Sequence, residues 1–279
     1  MKKVFSILMA IVMVFSVCAL FAGCTKTPTN EEQSTNEDAS VSTNVNGKLT
    51  ATDGVLTMAT NATFPPYEYK DGDDFAGIDI EIAGKIAEKL GLKLQVMDVE
   101  FGSIIGGVQT GKFDIGMAGI TVTDERLESV NFTNTYATAV QVVIVAENSA
   151  ITSIDDLKGD GSMKFGVQQD TTGDIFASDT VANGGYGEEN VIRYKSGTDA
   201  VQALKAGKVD AVIIDNEPAK SYVAANDGLK ILDGEWVQEE YAICVSKDNT
   251  ELLNAVNNAL AELKADGTID SIVAKYIAA

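Results

Sequence analysis

The sequence predicts an α/β protein built as two similar lobes, and three observations predict it. From Leu56 onward, short apolar strands alternate with amphipathic helices. A pattern of helix end, Gly-Lys, apolar residue, Asp and buried strand occurs twice, in "VQTGKFDIGMAG" and "LKAGKVDAVIID". Gly111, Lys112 and Asp114 thus answer to Gly207, Lys208 and Asp210. Two extended stretches, "TAVQVVIVA" at 138–146 and "EEYAICVS" at 239–246, lie on either side of the second region. A chain crossing between lobes through both would form a paired hinge beside a cleft; on pattern alone they also fit edge strands inside one domain.

The amino terminus fixes the compartment. Lys2 and Lys3 precede an apolar run from Val4 to Phe21 that ends in "LFAGC". A charged start, an apolar core and small residues before a cysteine read as a secretory leader over 1–23, with Cys24 as the lipidated residue. A transmembrane anchor is the alternative, and the run is at the short end of the roughly 20 residues needed to span. Residues 24–54 are rich in Thr, Asn, Ser, Glu and Asp, and predict a disordered tether. The first lobe is expected over 55–140 and 242–279, the second over 141–241 with the hinge strands at its ends.

The net charge is −20, and loss of 1–23 removes Lys2 and Lys3 and no acid, leaving −22. Such a chain repels nucleic acid and anionic membrane, so the lipid has to do the anchoring. With Cys18 in the leader and Cys24 on lipid, Cys244 stands alone as a buried apolar residue, and no disulfide forms in the mature fold. The chain has no histidine, which excludes Ser-His-Asp chemistry and histidine zinc sites; neither a metal nor a cofactor is expected.

Element by element, "VLTMATN" is a buried strand. "GIDIEIAGKIAEKLG" is a helix with Asp79 as N-cap, a stripe of Ile82, Ile86 and Leu90, and Gly91 at its end. "LKLQVMDV" is a strand, "FGSIIGGVQTG" a short helix ended by Gly111, and "FDIGMAGIT" a strand. In the second region "MKFGVQQ", "VIRY" and "VDAVIID" are strands and "DAVQALKAG" is a helix. Two helices, "LLNAVNNALAELKADG" and "IDSIVAKYI", close the chain and return to the first lobe, and Trp236 near the second crossing suits hinge packing.

In "GMAGITVTDER", Thr123 suits an N-cap and Asp124 and Glu125 suit the first helical turn. Arg126 does not. A cation beside the positive end of a helix costs roughly 0.3 to 1 kcal/mol unless an anion is close by. A pairing with Asp124 or Glu128 would be the plain explanation. The other is a ligand.

Ligands of open parallel sheets bind beyond the carboxyl ends of strands. Three such ends stand out: Asn61, Phe64 and Tyr67 in "NATFPPYEY", then "AGITVTDER", then "QQDTTGD" with Thr171 and Thr172 at a helix start. Arg126 and Thr171-Thr172 would grip one small anion from opposite walls, and the guanidinium fork suits a carboxylate. Asp215, at the end of "VDAVIID", would accept from an ammonium group, or simply cap the helix that follows. Gly119 carbonyl and Thr121 hydroxyl complete the ammonium cage, and the small Ala118-Gly119 pair lets backbone approach the ligand. An anion clamp with an ammonium acceptor describes an α-amino acid. Phe64, Tyr67 and Phe101 would wall its side chain.

"ATNATFPPYEY", "GIDIEIAGKIAEKLG", "GMAGITVTDER", "VNFTNTY", "FGVQQDTTGD" and "VDAVIIDN", in this order, resemble the polar amino acid family of extracellular solute-binding proteins that serve ABC importers. The resemblance covers almost all of 55–279. It implies two α/β lobes of the type II periplasmic-binding-protein fold, joined by two hinge strands and closing on the ligand. It implies stacking on Phe64 and Phe101, a carboxylate held by Arg126, Thr171 and Thr172, an ammonium on Asp215, and contacts from Gly119 and Thr121. Asn61 stands where many members have an acid, and Gln168 occupies a side-chain-reading position, so the identity of the amino acid stays open. The implied partners are membrane permease subunits, with the protein a lipid-anchored, extracytoplasmic monomer. The family also contains periplasmic dehydratases; an enzyme acting on a small carboxylate is the alternative, with Glu68 as its candidate acid.

Overall fold

The computed structural model describes residues 49–158, 161–234 and 236–277. The expected leader, Cys24 and most of the expected tether lie outside the described residues. Among the described residues no helix is long and apolar enough to cross a membrane.

Two sheets form the body. In the first, the strand order is Lys93–Asp98, Val55–Thr60, Ile115–Gly116, Cys244–Ser246, Val130–Phe132. Its first three strands are parallel, and Cys244–Ser246 runs antiparallel to both neighbours. In the second, the order is Val191–Tyr194, Phe165–Gln168, Ala211–Asp215, Ala137–Ala146, Leu229–Ile231, with Val237–Tyr241 also paired to Ala137–Ala146. Again three parallel strands meet an antiparallel one.

The repeated Gly-Lys-x-Asp has one structural meaning in both sheets. Asp114 accepts the Thr57 N–H at 2.7 Å, and Asp210 accepts the Lys164 N–H at 2.8 Å. Each aspartate immediately precedes the inner strand and pins the parallel strand beside it, at the same offset in register. Gly111 and Gly207, at φ 72° and 67°, end the preceding helices in the left-handed conformation that glycine adopts without strain.

Helices cover the sheets with their apolar stripes. Ile78–Lys89 buries Ile82, Ala83 and Ile86, and Thr250–Ala265 buries Leu252, Val256 and Leu260 against the first sheet. Gly197–Lys205 and Asn216–Ala225 pack on the second. Each stripe follows the 3.6-residue period, which is why these helices are legible from the chain.

Four expectations are corrected. Residues 49–54, assigned to the tether, are packed on the body: Thr50 is buried, and Ala51 N–H donates to Asp114 at 2.8 Å. The second sheet takes the chain from Ala137, so it begins before residue 141. "EEYAICVS" is divided between Val237–Tyr241 in the second sheet and Cys244–Ser246 in the first, because the chain changes sheets at Ala242 and Ile243. Trp236 packs on Phe176 and Tyr186 at centroid distances of 6.3 and 5.4 Å, inside the second lobe instead of at a hinge.

The two crossings lie side by side. Thr133 N–H donates to Ile243 O at 2.9 Å, and Tyr136 N–H to Tyr241 O at 2.9 Å. A third segment joins them, since Val122 N–H donates to Glu240 O at 3.1 Å and Ala242 N–H to Ile120 O at 3.1 Å. Thr121 is therefore anchored where the lobes meet.

Candidate ligand-binding site

The expected strand "FDIGMAGIT" stops at Gly116, and its departure from the sheet builds the site. Beyond it, Gly119 has φ 53°, and a Cβ there would lie 3.0 Å from the Phe64 ring. Asp79 holds this bend by accepting the Gly119 N–H at 2.9 Å and the Tyr136 hydroxyl at 2.8 Å. The expected role of Asp79 as a helix cap is thus corrected. Gly77 occupies the N-cap, and the first N–H groups of the helix go instead to carbonyls of the aromatic loop: Ile78 to Pro66 at 3.1 Å and Asp79 to Tyr67 at 2.9 Å.

Helix Asp124–Ser129 begins as expected, with Thr123 accepting the Arg126 N–H at 3.2 Å. Arg126 is only 8% exposed, and no ion pair to it occurs among the described residues, so Asp124 and Glu128 are not its partners. Its guanidinium donates to Thr121 O at 2.7 Å and, across the lobes, to Asp170 O at 3.1 Å. It lies over the Phe101 ring, 5.4 Å from the centroid. Burial lowers its pKa from the ordinary arginine value, opposed first by the charge of Glu239. A desolvated cation held by carbonyls alone has capacity left for an anion.

From the second lobe, Thr171 caps helix Thr172–Ser178 by accepting the Asp174 N–H at 3.3 Å, and its own hydroxyl donates to Gln168 O at 2.7 Å. Thr172 is buried, with the Gln141 amide 3.5 Å from its hydroxyl. Gln168 reaches the opposite lobe, donating to Asn61 Oδ1 at 2.9 Å. Asn61 in turn donates to Val99 O at 2.8 Å. Asp215 stands at an N-cap position without capping; it accepts the Tyr241 hydroxyl at 2.5 Å instead. Burial, then the charge of Glu239, raises its carboxyl well above the ordinary range.

These groups meet in one cavity between the sheets. Asn61, Phe64, Phe101, Ala118, Gly119, Thr121 and Arg126 line it from the first lobe, and Gln168, Thr171, Thr172 and Asp215 from the second. Tyr67 does not line it. Its ring is 2% exposed and packs edge-on to Tyr241 at 5.1 Å, making it support for Phe64, whose centroid is 6.1 Å away. The next residue, Glu68, lines the cavity in its place. Glu239 went unforeseen: it is 3% exposed and accepts the Thr121 hydroxyl at 2.7 Å.

The buried acids give the protein an unusual pH response. Burial is the largest cause raising both Glu68, well above its ordinary range, and Asp79, to about 6. A carboxyl raised on folding binds more protons in the folded than in the unfolded chain between its two pKa values. Its stabilising contribution is therefore present below about pH 4 and is lost as pH rises through about 6 for Asp79. The ligand-free protein is expected to show a Tm that falls from pH 5 to pH 7, and Asp79→Asn is expected to flatten that slope in a thermal melt series.

Two α/β lobes that enclose a cavity with a buried guanidinium and buried carboxyls define a receptor for a small dipolar ligand. The chain belongs to family 3 of the bacterial extracellular solute-binding proteins, whose sequence profile matches residues 56–279. Arginine-binding extracellular protein ArtP of Bacillus subtilis (strain 168) is 33% identical over 224 residues, covering 79% of this chain and 85% of that protein. A solved structure of an ancestral arginine-binding protein bound to arginine is 41% identical, with a TM-score of 0.73 over 80% of this chain and 98% of that one. A structure of an ancestral arginine-binding protein bound to glutamine is 39% identical, with a TM-score of 0.74 over 82% of this chain and all (100%) of that one.

Proposed function

We propose that this protein captures a polar α-amino acid outside the cytoplasm and presents it to the membrane subunits of an ABC importer. The observation that carries the reading is a buried Arg126 and a buried Asp215, from different lobes, lining one cavity. Arg126, with Thr171 and Thr172 opposite, receives the α-carboxylate as a charge-assisted pair. Asp215 receives the α-ammonium, aided by Thr121 and the Gly119 carbonyl, and Phe64 and Phe101 wall the side chain. Family membership and the ligands named for the related proteins support this.

Because the gripping groups come from both lobes, they act together only when the lobes are closed, and binding favours the closed form by that differential contact. The lobes divide near residues 136 and 242, where the chain changes sheets. Cys24 carries the lipid that holds the protein, as a monomer, at the membrane; the run ending in "LFAGC" supports this.

A thermal-shift screen of the twenty amino acids, followed by calorimetry, tests the reading. A polar α-amino acid is expected to raise Tm, while its decarboxylated amine and its deaminated acid do not; no response to any of the twenty would overturn it. Mass spectrometry of the mature amino terminus is expected to find a diacylglyceryl group on Cys24, and an unmodified thiol there would remove the anchor. The protein is read as a non-enzyme. The dehydratase alternative, which has Glu68 at the cavity in its favour, predicts product from prephenate-like acids in the same mixtures.

A further inference from the structure

The strand Val237–Tyr241 leads into the second crossing, and one face of it holds a cavity residue from each lobe. Glu239 and Tyr241 are two residues apart and so share that face; both are buried. Glu239 accepts the Thr121 hydroxyl at 2.7 Å, and the Tyr241 hydroxyl donates to Asp215 Oδ1 at 2.5 Å. A threonine hydroxyl has one proton to give. With that proton on Glu239, Thr121 Oγ1 can only accept from the cavity, which suits an ammonium. Asp215 is set for the same task by a different route.

An aspartate at an N-cap ordinarily turns back onto the N–H groups two or three residues on. Two features turn Asp215 away from helix Asn216–Ala225. Pro218 occupies the third helical position and has no N–H to give. Tyr241 offers a donor on the other side, and its own place is fixed. Its carbonyl accepts the Tyr136 N–H at 2.9 Å, the N–H of Ala242 is held by Ile120 O at 3.1 Å, and its ring packs edge-on to Tyr67. Gly119 leaves room for that ring, since a Cβ there would come within 3.3 Å of Tyr241 Cε2. Burial holds the Tyr241 hydroxyl well above the ordinary phenol range, so it keeps its proton and remains the donor. The other charged or titratable groups bearing on Asp215 are Glu239 on the same strand, Tyr67 and Glu68 at the end of the aromatic loop, and Arg126 on helix Asp124–Ser129. Burial and Glu239 favour the protonated acid, whereas the Tyr241 hydroxyl favours the carboxylate that an ammonium needs.

We propose that Tyr241 is a positioning residue for the ammonium end of the ligand: its hydroxyl fixes Asp215 Oδ1 off the helix and leaves the other carboxylate oxygen to the ammonium. The proposal rests on the α-amino acid reading. Tyr241 does not line the cavity and acts through Asp215. Because it stands where the chain changes sheets, the ammonium acceptor is held by the segment that joins the lobes and not by the second lobe alone.

Tyr241→Phe removes the hydroxyl and keeps the ring, and a ligand-free melt checks that the variant folds. Every α-amino acid brings the same ammonium, so the probe is L-arginine or, if it does not bind, whichever of the twenty L-amino acids raises Tm most. Calorimetry from pH 6 to pH 8.5 is expected to place the affinity of the variant about tenfold or more below wild type at pH 6. The deficit is expected to narrow as pH rises and the Asp215 carboxyl ionises without the hydroxyl. Lost packing would give a deficit that does not change with pH. A constant deficit, or wild-type affinity at pH 6, overturns the proposal and leaves the amino acid reading intact; binding of none of the twenty overturns both. Should Tyr241→Phe not fold, 3-fluorotyrosine placed at position 241 keeps the hydroxyl and makes it a more acidic donor. Carbon-13 NMR of the Asp215 carboxyl in that ligand-free protein is expected to show titration at lower pH than in wild type, and an unmoved titration overturns the proposal.

Discussion

Arg126→Ala is expected to weaken ligand binding by about 3–5 kcal/mol, a factor of roughly 150 to several thousand in Kd, while leaving the ligand-free fold in place. The size follows from burial. The guanidinium lies at 8% exposure over Phe101, with its other contacts going to the carbonyls of Thr121 and Asp170. Truncation leaves a buried carboxylate facing those carbonyls and the acids behind them, with no positive charge to compensate. Arg126→Lys keeps the charge but not the planar fork that bridges both lobes, and is expected to recover only part of the loss. Calorimetry beside a ligand-free melt separates lost binding from lost folding. Wild-type affinity in Arg126→Ala would place the ligand carboxylate elsewhere.

Gly77→Ala is expected to destabilise the protein by about 3 kcal/mol or more and to lower Tm by roughly 6–12 °C. Gly77 has φ 125°, a conformation that L side chains rarely adopt, and an added Cβ would fall 2.2 Å from the Tyr67 carbonyl oxygen. Both causes act on backbone, which cannot rotate away. The same contact lets the aromatic loop cap the helix, through Ile78 and Asp79 donating to Pro66 and Tyr67. Pushing the loop off the helix moves Phe64 and Glu68 with it, so ligand affinity is expected to fall alongside Tm. Gly84→Ala, in the same helix with open space around its Cβ position, serves as the control. Equal melts for the two variants would refute the close approach.

That Arg126 and Asp215 line the cavity was legible because each residue type sits badly with its local element. A cation at a helix start and an acid ending a buried strand ask for a partner that the local chain lacks. The helices were legible from period, and the paired Asp114 and Asp210 from repetition. Tyr67 was misplaced for a different reason. It ends the turn before strand Glu68–Asp71, and only the docking of the loop on Gly77 decides that Glu68, not Tyr67, turns to the cavity. Asp79 was misread because an acid near a helix start is normally a cap; tertiary structure overrode that by bringing Gly119 and Tyr136 to it. Asp170 gave no local sign. Its φ of 65°, the one positive value among the described non-glycine residues, accompanies the carbonyl contact to Arg126 in the other lobe.

The interleaving of Cys244–Ser246 between Ile115–Gly116 and Val130–Phe132 has a bearing on synthesis. Every strand of the second sheet lies within 137–241 and is available before the chain is finished. The first sheet cannot join Val130–Phe132 to its neighbours until residue 246 has emerged, and helix Thr250–Ala265 covers it later still. The half that is made first is therefore completed last, and its sheet stays gapped until the strand Cys244–Ser246 takes its place. A chain that crosses a membrane before folding keeps that unfinished edge out of the cytoplasm.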